Sequence, residues 1–275
     1  MTARTRAPFR ADHVGSLLRP QQLRQAFRRH AANEIGDDEF ERIQDDCIRA
    51  AVRMQEEIGL EVATDGEFRR GSYWGRFVER TEGLEIRPAL LKFRDDRGDE
   101  VDFTAPYATA MIRRTHPLAV DEFIFLRAVT AVTPKITLPA PSTMHFLRFS
   151  DFADRTAYGD VDRFFADLVG VFRQEIAELV AAGCRYLQID EIACALLCDP
   201  RSATGLRPRA ATPMRWSSAT SMRSMARSLG VPVRSSSAST CAAATSGVAT
   251  SLMADTNGLR AFFCARGRKP FPARI

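Results

Sequence analysis

Apolar residues recur along the chain with two distinct periods. Ile43, Cys47, Ala50, Ala51, Met54 and Ile58 are spaced by three and four, which predicts a long amphipathic helix. Asp37 and Asp38 are placed to cap its start, and Gly59 to end it. The same spacing returns in Val161, Phe164, Phe165, Leu168, Val171, Phe172, Ile176, Leu179 and Val180, between Asp160 and Gly183. That stripe reads as core. Pro20 opens a polar helix over Gln21 to Arg29, and residues 117–132 read as another helix. Short apolar runs stand between them. Leu60 to Ala63, Lys135 to Pro139 and Arg185 to Ile189 read as strands, and Phe9 to Leu18 as a short strand and loop. Residues 83 to 112 alternate charged and apolar groups around the turn sequence Asp95 to Asp99, as a β-hairpin does.

The order strand, helix, strand, helix, with acids and glycines just after each strand, is that of a parallel sheet with helical crossovers. The expected class is α/β: the N-terminal half of a (β/α)8 barrel with a β-hairpin insertion, followed by an irregular tail. A whole barrel usually takes about 250 residues. Here about four βα units appear before residue 200 and the texture then changes. Residues 1–200 are therefore expected to form a partial barrel, and 201–275 a disordered Arg/Ala/Ser-rich tail.

Charge marks the same boundary. The net charge of +5 comes from 39 basic and 34 acidic residues. Of these, 12 basic and one acidic residue (Asp255) follow Pro200, so 27 and 33 precede it. The body is acidic by 6 and the tail basic by 11. No run reaches the ~18 apolar residues of a membrane helix, and Met1 to His13 lacks the apolar run of a secretory signal. A cytoplasmic protein that does not engage membranes is the expectation. The six cysteines form no C-x-x-C pair, and Cys184, Cys194 and Cys198 lie in apolar sequence, so buried thiols are favoured over disulfides or a metal site.

Three loci carry candidate chemistry, each at the end of a strand, where a barrel places its site. In Asp12-His13-Val14-Gly15-Ser16, Gly15 lets backbone approach a ligand and Ser16 offers a carboxylate partner. Asp65-Gly66-Glu67 presents two acids able to hold an amine or position a proton; the plainer reading is a solvated turn paired to Arg69 and Arg70. Asp190-Glu191 follows a buried strand, where paired acids are costly without partners. His145, after Ser142, is placed to line the same mouth, and Tyr73 and Trp74 to wall it or simply pack. The possible pocket thus takes in His13, Asp65, Ser142, His145 and Glu191. No dinucleotide, P-loop, zincin or nucleophile-elbow motif is present.

Together these segments resemble the catalytic barrel of the cobalamin-independent methionine synthases, in their short single-barrel form. The matching pieces run from Arg10 to Pro20, from Gly59 to Arg70, from Lys135 to Ser142 and from Ala182 to Glu191, with Cys198-Asp199-Pro200 following. The resemblance covers about residues 8–200. It implies that Gly15 and Ser16 meet the amino-acid end of homocysteine and that Glu67 and Asp190 hold its ammonium. It also implies zinc, held by a His-x-Cys motif, a Glu and a further Cys, which turns the homocysteine thiol into a thiolate. The co-substrate would be a methylfolate.

The tail departs from that pattern, because no His follows residue 200. A reading-frame slip after the Pro200 codon accounts for it. With one base restored, Ser239-Thr240 permits a His codon, Cys241-Ala242 gives Cys or Arg, Ala243-Ala244 permits Gly and Ala244-Thr245 permits Asn. A His-x-Cys-x-Gly-Asn motif can thus be recovered, and Met253-Ala254 must become Gly. The leading expectation is a methionine synthase-like methyltransferase rendered inactive, with no metal ligands of its own. The alternatives are a related zinc-dependent thiol alkyltransferase or lyase, such as an epoxide:thiol-cofactor transferase, and a basic tail that binds nucleic acid. The last is disfavoured by the tail's lack of periodicity.

Overall fold

The computed structural model describes residues 13–90, 93–94, 100–101, 103–191, 248–255 and 258–264. Pro20 precedes α1 (Gln21–Ala31), whose last turn carries Arg28, Arg29 and His30. Helix α2 (Asp37–Glu57) starts one residue after Gly36. Asp37, Asp38 and Glu39 therefore lie inside its first turn rather than at the cap, where their charge opposes the positive end of the helix dipole. Gly59 ends the turn beyond α2 at φ +83°, and β1 (Val62–Ala63) follows.

After the short α3 (Gly75–Glu79), the expected hairpin forms. Strand β2 (Thr81–Pro88) pairs antiparallel with β5 (Thr104–Arg114), and β3 (Phe93–Arg94) pairs with β4 (Glu100–Val101). The Asp95–Asp99 turn lies outside the described residues. Helix α4 (Val120–Val129) leads to β6 (Thr133–Pro139), then to α5 (Thr143–Phe146) and a single 3-10 turn at Phe149–Asp151. Asp160 caps α6 (Val161–Ala181) by accepting from the Asp162 amide, and β7 (Tyr186–Glu191) follows. Here the strand includes Asp190 and Glu191 rather than stopping before them.

Strands β1, β6 and β7 are parallel neighbours in that order. They are separated in sequence by helical segments, as in the first part of a barrel. The chain is thus α/β. In register, Lys135 faces Tyr186, Thr137 faces Gln188 and Pro139 faces Asp190. Because side chains alternate across a strand, one face of β6 and β7 carries Lys135, Thr137, Tyr186, Gln188 and Asp190. The other carries Ile136, Leu138, Leu187 and Ile189. These apolar residues join Phe123, Phe164, Leu168, Phe172 and Leu179 in the main core. A second cluster packs Leu23, Cys47, Ile48, Val52, Ala63, Phe68 and Leu126 between α1, α2, β1 and α4. The face turned from the helices is the polar one, which is where a barrel keeps its interior.

One expectation falls partly outside view and one changes. Residues 9–12 of the segment expected as a short strand and loop lie outside the described residues; residues 13–20 contain no strand, and Leu17 N donates to Gly66 O and Lys135 Nζ to His13 O. The tail expected to be irregular supplies β8 (Val248–Asp255) and β9 (Gly258–Cys264), an antiparallel pair whose first strand lies along β7. The edge of β7 has backbone groups that need partners, and any extended segment supplies them. This pairing is antiparallel, unlike the parallel neighbours of β6.

Two buried acids tie the layers together. Glu175, from α6, accepts from the Leu118 and Ala119 amides at 2.8 and 2.6 Å and from Arg114 Nε at 2.9 Å. It thereby satisfies free amides at the start of α4. Glu122, from α4, accepts from Arg70 Nε and Nη2 at 3.0 and 2.6 Å, with Arg76 Nε 3.1 Å from its other oxygen. Replacing Glu122 by Ala leaves Arg70 charged and buried, and should cost about 3–5 kcal/mol. Removing the Asp160 cap should cost only about 1 kcal/mol. Urea denaturation of Glu122→Ala and Asp160→Ala checks that order.

Candidate functional site

The segment Thr64-Asp65-Gly66-Glu67 leaves β1 in a tight turn built by its own side chains. Thr64 Oγ1 accepts from the Gly66 amide at 3.1 Å, and Asp65 Oδ1 from the Glu67 amide at 2.9 Å. Gly66 and Glu67 both have positive φ, +68° and +59°. Glycine is required at the first, because a Cβ there would sit 2.9 Å from Phe68 and 3.1 Å from Leu17. At the second, the left-handed backbone aims a glutamate side chain where an ordinary strand end would not. The turn is buried rather than solvated. Arg69 pairs with Asp45 and Glu41 on α2, so neither turn acid takes it.

Arg70 closes the turn from beneath. Its Nη1 donates to Thr137 Oγ1 at 2.8 Å and its Nη2 to Thr137 O at 2.9 Å, in addition to Glu122. Thr137 Oγ1 in turn donates to Glu67 Oε1 at 3.1 Å. Arg19 reaches across from the N-terminal segment and donates to Arg70 O at 2.5 Å and to Glu67 O at 3.4 Å.

These elements surround a cavity of about 370 Å³ lined by Val14, Gly15, Ser16, Arg19, Glu67, Gly71, Ser72, Tyr73, Asp190 and Glu191. All four residues expected to bind substrate, Gly15, Ser16, Glu67 and Asp190, line it, as does Glu191. Gly15 has φ +77°, and a Cβ built there would meet nothing within 4 Å, so its backbone faces open space. Other candidates support the walls. Ser142 donates to Glu191 Oε2 at 2.6 Å, and His13 Nε2 bonds to Thr64 Oγ1 at 2.9 Å. Asp65 holds the Glu67 amide, and among the described residues the cavity lining does not include Asp65, His13 or Ser142.

His145 is a correction. It lies in α5 with its ring against Phe152 and Phe165, and burial pushes its pKa down to about 4. Its ring is buried, and burial favours the uncharged form. Trp74 also packs into the main core, whereas Tyr73 reaches the cavity. Burial, and then the charges of Asp190, Glu191 and Glu67, push the Tyr73 phenol up to about 12, which keeps it a neutral donor. Arg19, Arg70 and Thr137 lie in the family-like segments but were given no role in the cavity, and Glu122 lies outside those segments. The one available signal was the shared phase of Lys-Ile-Thr-Leu and Tyr-Leu-Gln-Ile-Asp, which puts polar groups on one face of both strands.

The carboxylates do not sit comfortably. Burial raises Asp190 to about 6, against the pull of a bond from Gln188 Nε2, and the negative charge of Glu67 raises it further. Asp65 also rises to about 6, through burial and then Glu122, with Arg70 opposing. The cavity thus has the carboxyls of Glu67 and Asp190 in its lining, close enough for one charge to raise the other group, together with Arg19.

The architecture and this cavity define an α/β protein of half-barrel form, with a pocket at the C-terminal ends of its parallel strands that has Arg19, Glu67, Asp190 and Glu191 in its lining. A family model described as the catalytic domain of cobalamin-independent synthases matches residues 9–226, and the chain belongs to that family. It is 34% identical over 213 residues to the uncharacterized protein YxjH of Bacillus subtilis, covering 74% of this chain and 53% of that protein. It is 29% identical over 181 residues to a methionine synthase of Sulfurisphaera tokodaii, covering 66% and 51%. A structure solved as a candidate vitamin-B12 independent methionine synthase from Listeria monocytogenes superposes with a TM-score of 0.56 at 32% identity, covering 70% of this chain and 55% of that one. The chain spans about half the length of the curated relatives it matches. Among the described residues, no helix is long and apolar enough to cross a membrane.

The raised carboxyls have a consequence for stability. A carboxyl raised in the folded state binds its proton more tightly there than when unfolded. Its stabilising contribution is complete below pH ~4 and is lost as the pH rises through about 6. Asp190→Asn should therefore flatten the stability curve between about pH 4 and 6.5, with a gain over the wild type at pH 7 of at most about 3 kcal/mol. Denaturation across that range measures it.

Proposed function

We propose that the cavity binds the amino-acid end of homocysteine, the thiol that receives a methyl group from a methylfolate in the complete enzyme. The single observation that carries this reading is the lining itself. Glu67 and Asp190 answer an α-ammonium. The backbone at Gly15 and Ser16, with the Arg19 charge alongside, answers an α-carboxylate. A ligand ammonium would also relieve the mutual repulsion of the two acids, so part of the binding energy comes from a strain already present in the free protein. Tyr73, held protonated, and Glu191, held by Ser142, complete the wall.

The family resemblance implies zinc, and among the described residues no group fits it. Zinc takes Cys and His donors in the geometry of a tetrahedron. Among the described residues no three of His, Cys, Asp and Glu form a group that could hold a metal. Cys47 and Cys184 are buried in separate clusters, with Cys184 raised to about 12 mainly by burial. The cavity offers carboxylates, and no His follows residue 200. No step is therefore routed through a metal here. The proposed reading is of a chain that recognises the amino acid and leaves the methyl transfer undone, its second half replaced through a slipped frame after the Pro200 codon. The change of charge at that codon and the recoverable His-x-Cys support the slip.

Calorimetry with methionine, which has the same amino-acid end as homocysteine, tests the binding. Asp190→Asn should weaken it about tenfold or more, and binding to the wild type should decline as the pH falls through about 6, as Asp190 takes up its proton. Methionine binding that is unchanged in Asp190→Asn would refute the reading. Resequencing the DNA around the Pro200 codon tests the slip, and the frame-restored protein should gain zinc binding and methyl transfer.

A further inference from the structure

We infer that Thr137 is a positioning residue for Glu67, and that Arg70 dictates which way its hydroxyl points. The inference rests on the amino-acid reading of the cavity. A guanidinium has five donors and no acceptor. Arg70 Nη1 lies 2.8 Å from Thr137 Oγ1, so that oxygen must accept from Arg70. A threonine hydroxyl has a single proton. With Arg70 donating to its lone pair, that proton turns to Glu67 Oε1, 3.1 Å away.

Each member of this relay is itself fixed. Arg70 is held by Glu122 from α4 and by the Thr137 carbonyl, so the guanidinium plane cannot rotate without breaking bonds on two elements. Thr137 is buried in the middle of β6, paired with Gln188 of β7. The Glu67 backbone is pinned by its amide on Asp65 Oδ1 and by the Arg70 amide on its carbonyl at 3.1 Å. A donor of fixed direction therefore engages Oε1, and Oε2 is the oxygen left to meet the ligand. Glu67 enters the cavity in one orientation, set before any ligand arrives, and no side-chain entropy is lost there on binding.

The arrangement makes a specific demand. The benefit of a pre-aimed Glu67 falls on the ammonium of the ligand and not on the rest of it. Calorimetry on the full chain compares two probes, methionine and 4-methylthiobutanoate, which lacks the amino group. In Thr137→Val, methionine should bind about tenfold more weakly than to the wild type, while the affinity for 4-methylthiobutanoate should stay within about twofold. Thr137→Ser, which keeps the hydroxyl, should restore methionine binding to within about twofold. Should the valine variant not fold, Thr137→Ala against Thr137→Ser carries the same contrast.

Equal losses for both probes would mean a merely structural role and overturn the inference. So would methionine binding that is unchanged when the hydroxyl is removed, with the wild type binding normally. A wild type that binds no methionine overturns the amino-acid reading and the inference together.

Discussion

A buried guanidinium is the constraint around which the described structure is arranged. Arg70 is 3% exposed, and its charge must be met inside the protein or not at all. It is met by Glu122 from α4, by the hydroxyl and carbonyl of Thr137 on β6, and indirectly by the turn that carries Glu67. Those contacts join the end of β1, the second helix-to-strand unit and the polar face of the sheet. Arg19 then clamps the N-terminal segment onto the same turn, bringing Gly15 and Ser16 to the cavity. The acids around Arg70 lower the penalty of its burial.

The polar face of β6 and β7 explains why the cavity is where it is. Helices cover one side of these strands with apolar residues. The side that would face a barrel axis carries Lys135, Thr137, Tyr186, Gln188 and Asp190, of which Lys135 places its ammonium 5.1 Å above the Tyr186 ring. In a chain spanning about half of its matched relatives, this interior depends on internal pairing to satisfy its charges. At Asp190 the compensation is incomplete: burial and then Glu67 raise its carboxyl, and Gln188, Arg70 and Lys135 only partly oppose them.

Much of this was legible in the residue pattern. The helical spacing in α2 and α6, the hairpin of β2 and β5, and the acids at the ends of β1 and β7 all stand where periodicity placed them. So does the family, on the segments around Gly15, Glu67, Leu138 and Asp190. What escaped has physical reasons. Glu122 stands beside Asp121 at the start of a helix and looks like a solvated acid; only the fold brings Arg70 to it. Thr137 lies in a run read simply as a buried strand, because its polar alternation matters only once β7 is known to share the phase. His145 looked like a mouth residue because its distance from a strand end was visible and its aromatic neighbours Phe152 and Phe165 were not. Strands β8 and β9 had no helical or strand signature strong enough to stand apart from a low-complexity tail.

The most direct measurement is a crystal structure of the full chain with methionine bound. The account predicts the ammonium between Glu67 and Asp190, with Glu67 Oε1 still on Thr137, and the ligand carboxylate at the Gly15–Ser16 backbone. Methionine bound outside this cavity, or bound within it with its ammonium away from both carboxylates, would contradict the account.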